Sequence, residues 1–257
     1  MFIEPVKIYL ICLLLGYLLG NLQFAIVFSR LLYHDDVREH GSGNAGSTNM
    51  LRVFGLKSGL LTFMGDFLKG VAAVLIGRSL GGAIGSYCMA LGAILGHDFP
   101  ALLKFKGGKG VATSMGIAVA IQPWIGIVAI AAGIGMVAYS KMVSVGSLTG
   151  GAMFLLLTLP FGADPWVRLL ALLACLLIVL RHWENIYRIR TGQENRISFK
   201  KKGLTPSLCI PYNRAAAWRR SLQVVDSPGE QGPNPRFPFI GFGGARKIVP
   251  KGQGKAP

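Results

Sequence analysis

Apolar residues in this chain fall in long unbroken runs rather than in the alternation of half-buried strands or the stripes of surface helices. The runs cover residues 5–28, 59–78, 82–95, 110–138, 142–161 and 165–180. Each is long enough, or nearly so, to cross ~30 Å of hydrocarbon at ~1.5 Å per residue. Residues 59–78 and 82–95 are separated only by "SLG", residues 79–81. The run 110–138 carries no charge but contains "IQPW" at its middle. Pro123 there removes a backbone donor and crowds the preceding turn, so this run is either one kinked helix or two short ones.

Composition points the same way. Hydrophobic residues make up 52% of the 257, the mean hydropathy is +0.50, and charged residues are 15% against about 25% in soluble domains. The pattern predicts an all-α polytopic membrane protein of six or seven spans. Positive charge decides the parity, because Lys and Arg near span ends stay on the cytoplasmic side. Seven spans, with the N-terminus outside and the C-terminus cytoplasmic, place 23 of the 27 Lys and Arg residues in inner segments. Six spans would divide the basic loop 30–57 from the basic C-terminal region. Seven spans are therefore expected, with Gln122-Pro123 as an outer turn. The first run is too long for a removed signal peptide and lacks its small-residue cleavage pattern, so it is expected to remain. Cys12, Cys88 and Cys175 lie in apolar runs and Cys209 stands alone, so neither disulfide nor metal spacing exists.

Polar chemistry concentrates in three segments between the runs. The first, "GSGNAGSTNMLR", opens on a G-x-G-x-x-G at Gly41–Gly46. A dinucleotide site needs a strand before the first glycine and a βαβ unit around it. Here the charged "LLYHDDVREH" precedes it, and a membrane run containing Asp66 follows, so the dinucleotide reading does not fit. Ser42, Gly43, Asn44, Gly46, Ser47, Thr48 and Asn49 instead put amides and hydroxyls on a glycine-rich turn, with Arg52 one turn into a helix. Such a nest at a helix N-terminus attracts anions. Taken alone, a polar loop with a Ser or Thr cap explains it as well.

The second segment, "GHDFPALLKFKGGKGVAT", gathers Lys104, Lys106 and Lys109 around Gly107, Gly108 and Gly110 at the start of a span. It is not a Walker A loop, since Gly110 rather than Ser or Thr follows Lys109. An ordinary positive-inside loop accounts for the lysines but not for three glycines beside them. In the third, "RHWENIYRIRTGQENR", His182, Asn185 and Arg188 are spaced by three and share a helix face. Glu184 and Arg188 are spaced to pair, and Glu194 is placed to hold the loop through Arg or backbone groups. Seven spans would put all three segments on one side of the membrane.

Together the three segments, and "DFLKG" at residues 66–70, resemble the bacterial acyl-phosphate:glycerol-3-phosphate acyltransferase family over roughly residues 5–200. That resemblance implies an enzyme of the bacterial inner membrane, its active site facing the cytoplasm. It moves a fatty acyl group from acyl phosphate to the 1-hydroxyl of glycerol 3-phosphate. The products are lysophosphatidic acid and phosphate. Carried over, Ser42 and Arg52 match the essential residues of the first segment. Gly107, Gly108 and Gly110 match the phosphate-loop glycines with Lys109 as their cation, His182 and Asn185 match the active polar pair, and Glu194 matches a residue that maintains the fold. A functional link to an acyl-phosphate-forming enzyme follows from the donor, and no cofactor or metal is implied.

The residue chemistry agrees. An acyl phosphate is already activated, so the protein has mainly to align two phosphate-bearing substrates and neutralise charge as the bond breaks. No G-x-S-x-G elbow or Cys-His pair suggests an acyl-enzyme. His182 reads as general base or phosphate ligand, with the ligand role slightly favoured if the substrate's own phosphate takes the proton. His97, beside Asp98 and before Pro100, reads equally well as a packing residue. Asp66 and Lys69 are read as a structural ion pair, and His34, His40 and "DDVRE" as a solvated loop. A small anion transporter is the rival class, but the spans show no internal repeat. Residues 1–197 form the membrane domain. Residues 198–257 hold 8 of the 13 Pro and a net charge of +9, which predicts a disordered basic tail. No recognition module accompanies its charge, so no nucleic-acid partner is expected.

Overall fold

The structure, a computed structural model, describes residues 3–162 and 164–197. The tail expected over 198–257 lies outside the described residues. Among those described, every regular element is helical: α1 (Ile3–Gly20), α2 (Phe24–Tyr33), α3 (Ser47–Phe54), α4 (Leu56–Asp98), α5 (Val111–Ile121), α6 (Pro123–Ser140), α7 (Val143–Phe161), α8 (Pro165–Arg181) and α9 (Trp183–Arg190). Short 3-10 turns at Val37–Glu39 and Ala101–Leu103 complete them.

The first apolar run is not one continuous helix over 5–28. It breaks at residues 21–23, after which α2 continues to Tyr33. No proline causes the break. Backbone carbonyls freed within a hydrocarbon layer need other donors, and one distant side chain, Lys69, and one within the break, Gln23, supply them. Lys69 Nζ donates to the carbonyl of Leu22 at 2.7 Å, with the Gly20 carbonyl the longest of its contacts at 3.3 Å, and Gln23 Nε2 donates to the carbonyls of His97 and Gly20. Lys69 also pairs with Asp66 at 2.9 Å, both side chains being buried. The pair is thus part of what holds α1 and α2 to α4.

Two tight reversals organise the bundle. Gly81 and Gly82 leave helical geometry, Gly82 with φ 64°. In a straight helix residues 77 and 85 would lie about 12 Å apart, yet a Cβ on Gly77 would sit 2.5 Å from the Gly85 carbonyl. α4 is therefore a hairpin of two arms, residues 56–80 and 83–98. The second reversal is the one expected at Gln122-Pro123: α5 ends at Ile121, Pro123 opens α6, and a Cβ on Gly126 would meet the Val119 backbone at 2.6 Å. Proline at a first helical position costs no hydrogen bond.

Small residues let the backbones touch. Cβ atoms on Gly16, Gly92 and Gly96 would come within 2.2 Å of backbone oxygens across the α1–α4 interface, the close packing through which membrane helices associate without a hydrophobic drive. Four helical runs among the described residues are long and apolar enough to cross a membrane, or five if α8 and α9, bent by 59°, count as one. α5, at 11 residues, is shorter than a full crossing.

Candidate active site

The first polar segment is a loop closed on itself by Asn49. That buried side chain accepts from the Ser42 amide at 3.0 Å and donates to the carbonyls of Val37 and His40 at 3.0 Å each. Its amide group is committed to shaping the loop, which limits what it offers a ligand. Gly41, at φ 61°, is pressed against Asn49 so closely that a Cβ would lie 2.3 Å from its Oδ1. The first glycine of "GSGNAG" is there for this turn. Gly46 precedes α3, whose N-terminus has no side-chain cap, leaving amide donors of its first turn available. The "DDVRE" stretch is less solvated than expected: Val37 is fully buried, and Asp36 pairs with Arg38 at 2.8 Å and Arg30 at 3.0 Å. The hydrogen bonds from Arg38 hold the Asp36 carboxyl well below the usual range.

The second segment packs down on the end of α4. A Cβ on Gly108 would meet His97 Nε2 at 2.0 Å, and one on Gly107 would meet the His97 carbonyl at 2.1 Å. Arg181 then donates to the Gly108 carbonyl at 2.8 Å and to that of Gly107 at 3.3 Å. Both glycines are buried in this contact, so close approach to His97 explains them. Gly110, at φ 66°, precedes α5, whose N-terminus also lacks a side-chain cap. Lys109 projects toward the third segment and donates to Asn185 Oδ1. Burial, followed by the charge of Arg188, brings the Lys109 ammonium down to about 8.

Glu194 gathers the third segment. It accepts from Asn185 at 2.7 Å, Ser144 of α7 at 2.8 Å and Arg188 at 2.9 Å. Burial pushes its carboxyl up, but these hydrogen bonds outweigh burial and hold it below the ordinary glutamate range. The expected Glu184–Arg188 pair is long, 3.7 Å, with Glu184 exposed. His182 is buried at the joint between α8 and α9, and its Nδ1 lies 2.8 Å from the Ile178 carbonyl. A carbonyl only accepts, so Nδ1 carries the hydrogen and Nε2 is the acceptor of the neutral ring.

All three segments border one cavity of about 670 Å³. Its polar wall includes Ser42, Asn44, Gly46, Ser47, Thr48, Asn49 and Arg52 from the first, Lys109 and Gly110 from the second, and His182, Asn185, Arg188 and Glu194 from the third. Asp66 also reaches it. Apolar side chains also line it, among them Phe63, Met115, Ile134, Val137 and Val143. Four residues expected among the substrate ligands stand off this wall: Gly43 and Lys106 are exposed, and Gly107 and Gly108 are buried behind it. Lys69 also stands behind it, holding the α1–α2 break. Sequence reasoning gave no role to Ser144 or Arg181 and left His97 undecided. Arg181 had read as one more positive charge at a span end, and no local pattern marks Ser144. Among the described residues, no three His, Cys, Asp or Glu side chains cluster to hold a metal ion.

A glycerol-3-phosphate acyltransferase family profile matches residues 10–192. The chain is 39% identical over 187 residues to the glycerol-3-phosphate acyltransferase of Thermoanaerobacter sp. (strain X514), covering 73% of this chain and 94% of that one. It is likewise 39% identical over 190 residues to that of Coxiella burnetii (strain RSA 493 / Nine Mile phase I), covering 74% and 98%. Its fold matches the crystal structure of PlsY (YgiH), an integral membrane glycerol 3-phosphate acyltransferase, in two forms. The glycerol 3-phosphate form aligns with a TM-score of 0.71 at 36% identity, covering 74% of this chain and 96% of the other. The lysophosphatidic acid form aligns with a TM-score of 0.69 at 34% identity, covering 74% and 95%. The profile spans the cavity residues from Ser42 to Arg188, and the chain belongs to the glycerol-3-phosphate acyltransferase family.

Proposed function

We propose that the cavity binds an acyl phosphate and glycerol 3-phosphate together and joins them into lysophosphatidic acid. The observation that carries this reading is the mixed lining of the cavity. Two uncapped helix N-termini, those of α3 and α5, border it with Arg52 and Lys109, together with the apolar side chains of Phe63, Met115, Ile134, Val137 and Val143. Helix N-termini and cations suit phosphate oxygens, and the apolar side chains suit an acyl chain. The similarity to PlsY in its glycerol 3-phosphate and lysophosphatidic acid forms supports both halves.

In the reaction, the 1-hydroxyl oxygen of glycerol 3-phosphate attacks the acyl carbon. A carbon–oxygen ester bond forms, and the bond from that carbon to the phosphate oxygen breaks. Phosphate leaves with the electron pair and takes up the hydroxyl proton. His182 accepts the hydroxyl's hydrogen bond at Nε2, because Nδ1 is held by Ile178. This orienting role replaces the phosphate-ligand role that the sequence favoured. Arg52 and Lys109 neutralise the leaving phosphate, Ser42 and Asn185 are placed to fix oxygens between them, and Glu194 keeps Asn185 and Arg188 in position. No cofactor takes part.

The two reversals support seven passes: α1, the two arms of α4, then α5, α6, α7 and α8, of which α5 is the short one at 11 residues. The excess of Lys and Arg in the three polar segments supports a cytoplasmic active site in the bacterial inner membrane, supplied by an enzyme that makes acyl phosphate. The donor is tested by giving purified protein labelled glycerol 3-phosphate with acyl phosphate, acyl-CoA or acyl carrier protein in turn. Lysophosphatidic acid should form from acyl phosphate, and transfer from acyl-CoA alone would overturn the donor assignment.

A further inference from the structure

His97 lies at the end of α4, outside the residues that carry the proposed chemistry, yet it borders the same cavity. Its ring is 4% exposed. Nδ1 is 3.0 Å from Lys69 Nζ and 3.5 Å from Asp66 Oδ1. The second distance is beyond an ordinary N–H···O bond, and an ammonium is a donor only. Lys69 has three hydrogens, and its three shortest contacts are the Leu22 carbonyl, Asp66 and His97 Nδ1. Nδ1 therefore accepts, and the ring hydrogen sits on Nε2.

Nε2 faces the second polar loop, in contact with Gly108. Among the described residues no group accepts from it, and the Gly107 and Gly108 carbonyls beside it accept from Arg181. The two cavity histidines are thus fixed in opposite senses: His182 offers an acceptor at Nε2, and His97 offers a donor at Nε2.

We infer that His97, oriented by the buried Lys69–Asp66 pair, is a further substrate-binding residue whose Nε2–H donates to a phosphate oxygen held between the second loop and Lys109. The pair set within the bundle thereby gains a purpose beyond closing the helix break: it prevents His97 from presenting a lone pair to an anion. The inference rests on the reading of the cavity as a phosphate site, and its test separates the two.

Full-length protein in detergent would be compared as wild type, His97→Gln, His97→Asn and His97→Ala. Two readouts are needed: binding of labelled glycerol 3-phosphate and of inorganic phosphate, and KM for each substrate in acyl transfer. A glutamine amide reaches the place of Nε2, and an asparagine amide does not. His97→Asn and His97→Ala should weaken phosphate binding or raise the KM of one substrate by roughly tenfold or more, with His97→Gln within about threefold of wild type on the same scale. Whichever substrate's KM moves identifies the phosphate. Wild-type affinity and KM values in His97→Ala would overturn the inference, as would Gln, Asn and Ala variants that all lose binding and melting temperature alike. Phosphate binding that depends on His97, in a protein without acyl transfer, would sink the proposed reaction and leave this site standing. Absence of phosphate binding in wild type would remove both.

Discussion

Lys109 of the second polar loop donates to the side-chain oxygen of Asn185 on α9, joining two segments 76 residues apart. Asn185 in turn donates to Glu194, so the cation, the amide and the carboxylate form one chain along the cavity wall. A ligand phosphate that draws Lys109 away leaves Asn185 still held by Glu194. The site is thus built to exchange one contact of Lys109 without losing its frame.

Lys109 is brought down to about 8 by burial and by Arg188, so its charge is lost as pH rises through that value. kcat/KM should fall above pH 8, while the limb in kcat lies higher, because a bound phosphate favours the charged form. Lys109→Arg keeps its charge and should remove this limb, at a reduced rate. Rate profiles of the two proteins from pH 6 to 10 check it.

His182→Gln tests the hydroxyl-orienting role. In wild type, protonation of Nε2 removes the acceptor, so activity should fall on the acid side. The glutamine variant should be slower and lack that acid limb. An acid limb unchanged in the variant would contradict the role.

Glu194→Ala removes three hydrogen bonds at once and leaves Arg188 without its nearest carboxylate. A hydrogen bond to a charged group contributes about 1.5–3 kcal/mol, so the free energy of unfolding in detergent should fall by at least that much and the melting temperature should drop. Glu194→Gln keeps one acceptor oxygen for both Asn185 and Ser144 and should lose less.

Gly108→Ala should be far more damaging than Gly135→Ala. The added methyl at 108 collides with His97 Nε2, whereas nothing lies within 4 Å of one at 135. Overpacking costs about 1–3 kcal/mol, and alanine in place of a helical glycine is worth up to about 1 kcal/mol. Melting temperatures should therefore move in opposite directions, with activity lost only at 108.

Much of this arrangement was legible in the chain. The apolar runs, the reversal at Gln122-Pro123 and the meeting of three polar segments at one cavity follow from hydropathy, proline chemistry and the placement of charge. The break at residues 21–23 was not, because its stabilising donor, Lys69, is distant in sequence and no proline marks it. Gly107 and Gly108 illustrate a different limit. Their close contact with His97, a residue brought beside them only by the fold, has no mark in the sequence. Arg181 was hidden for a related reason: a cation at a span end satisfies the positive-inside pattern whether or not it holds a loop.

The most direct test of the account is acyl transfer by the purified protein and by Arg52→Ala, supplied with acyl phosphate and labelled glycerol 3-phosphate. Wild type should form lysophosphatidic acid and release one phosphate per product. Arg52→Ala should be slower by roughly a hundredfold or more, the usual cost of removing a preorganised charge-stabilising donor. Phosphate flux across liposomes with no lysophosphatidic acid formed would contradict the assignment and favour an anion transporter.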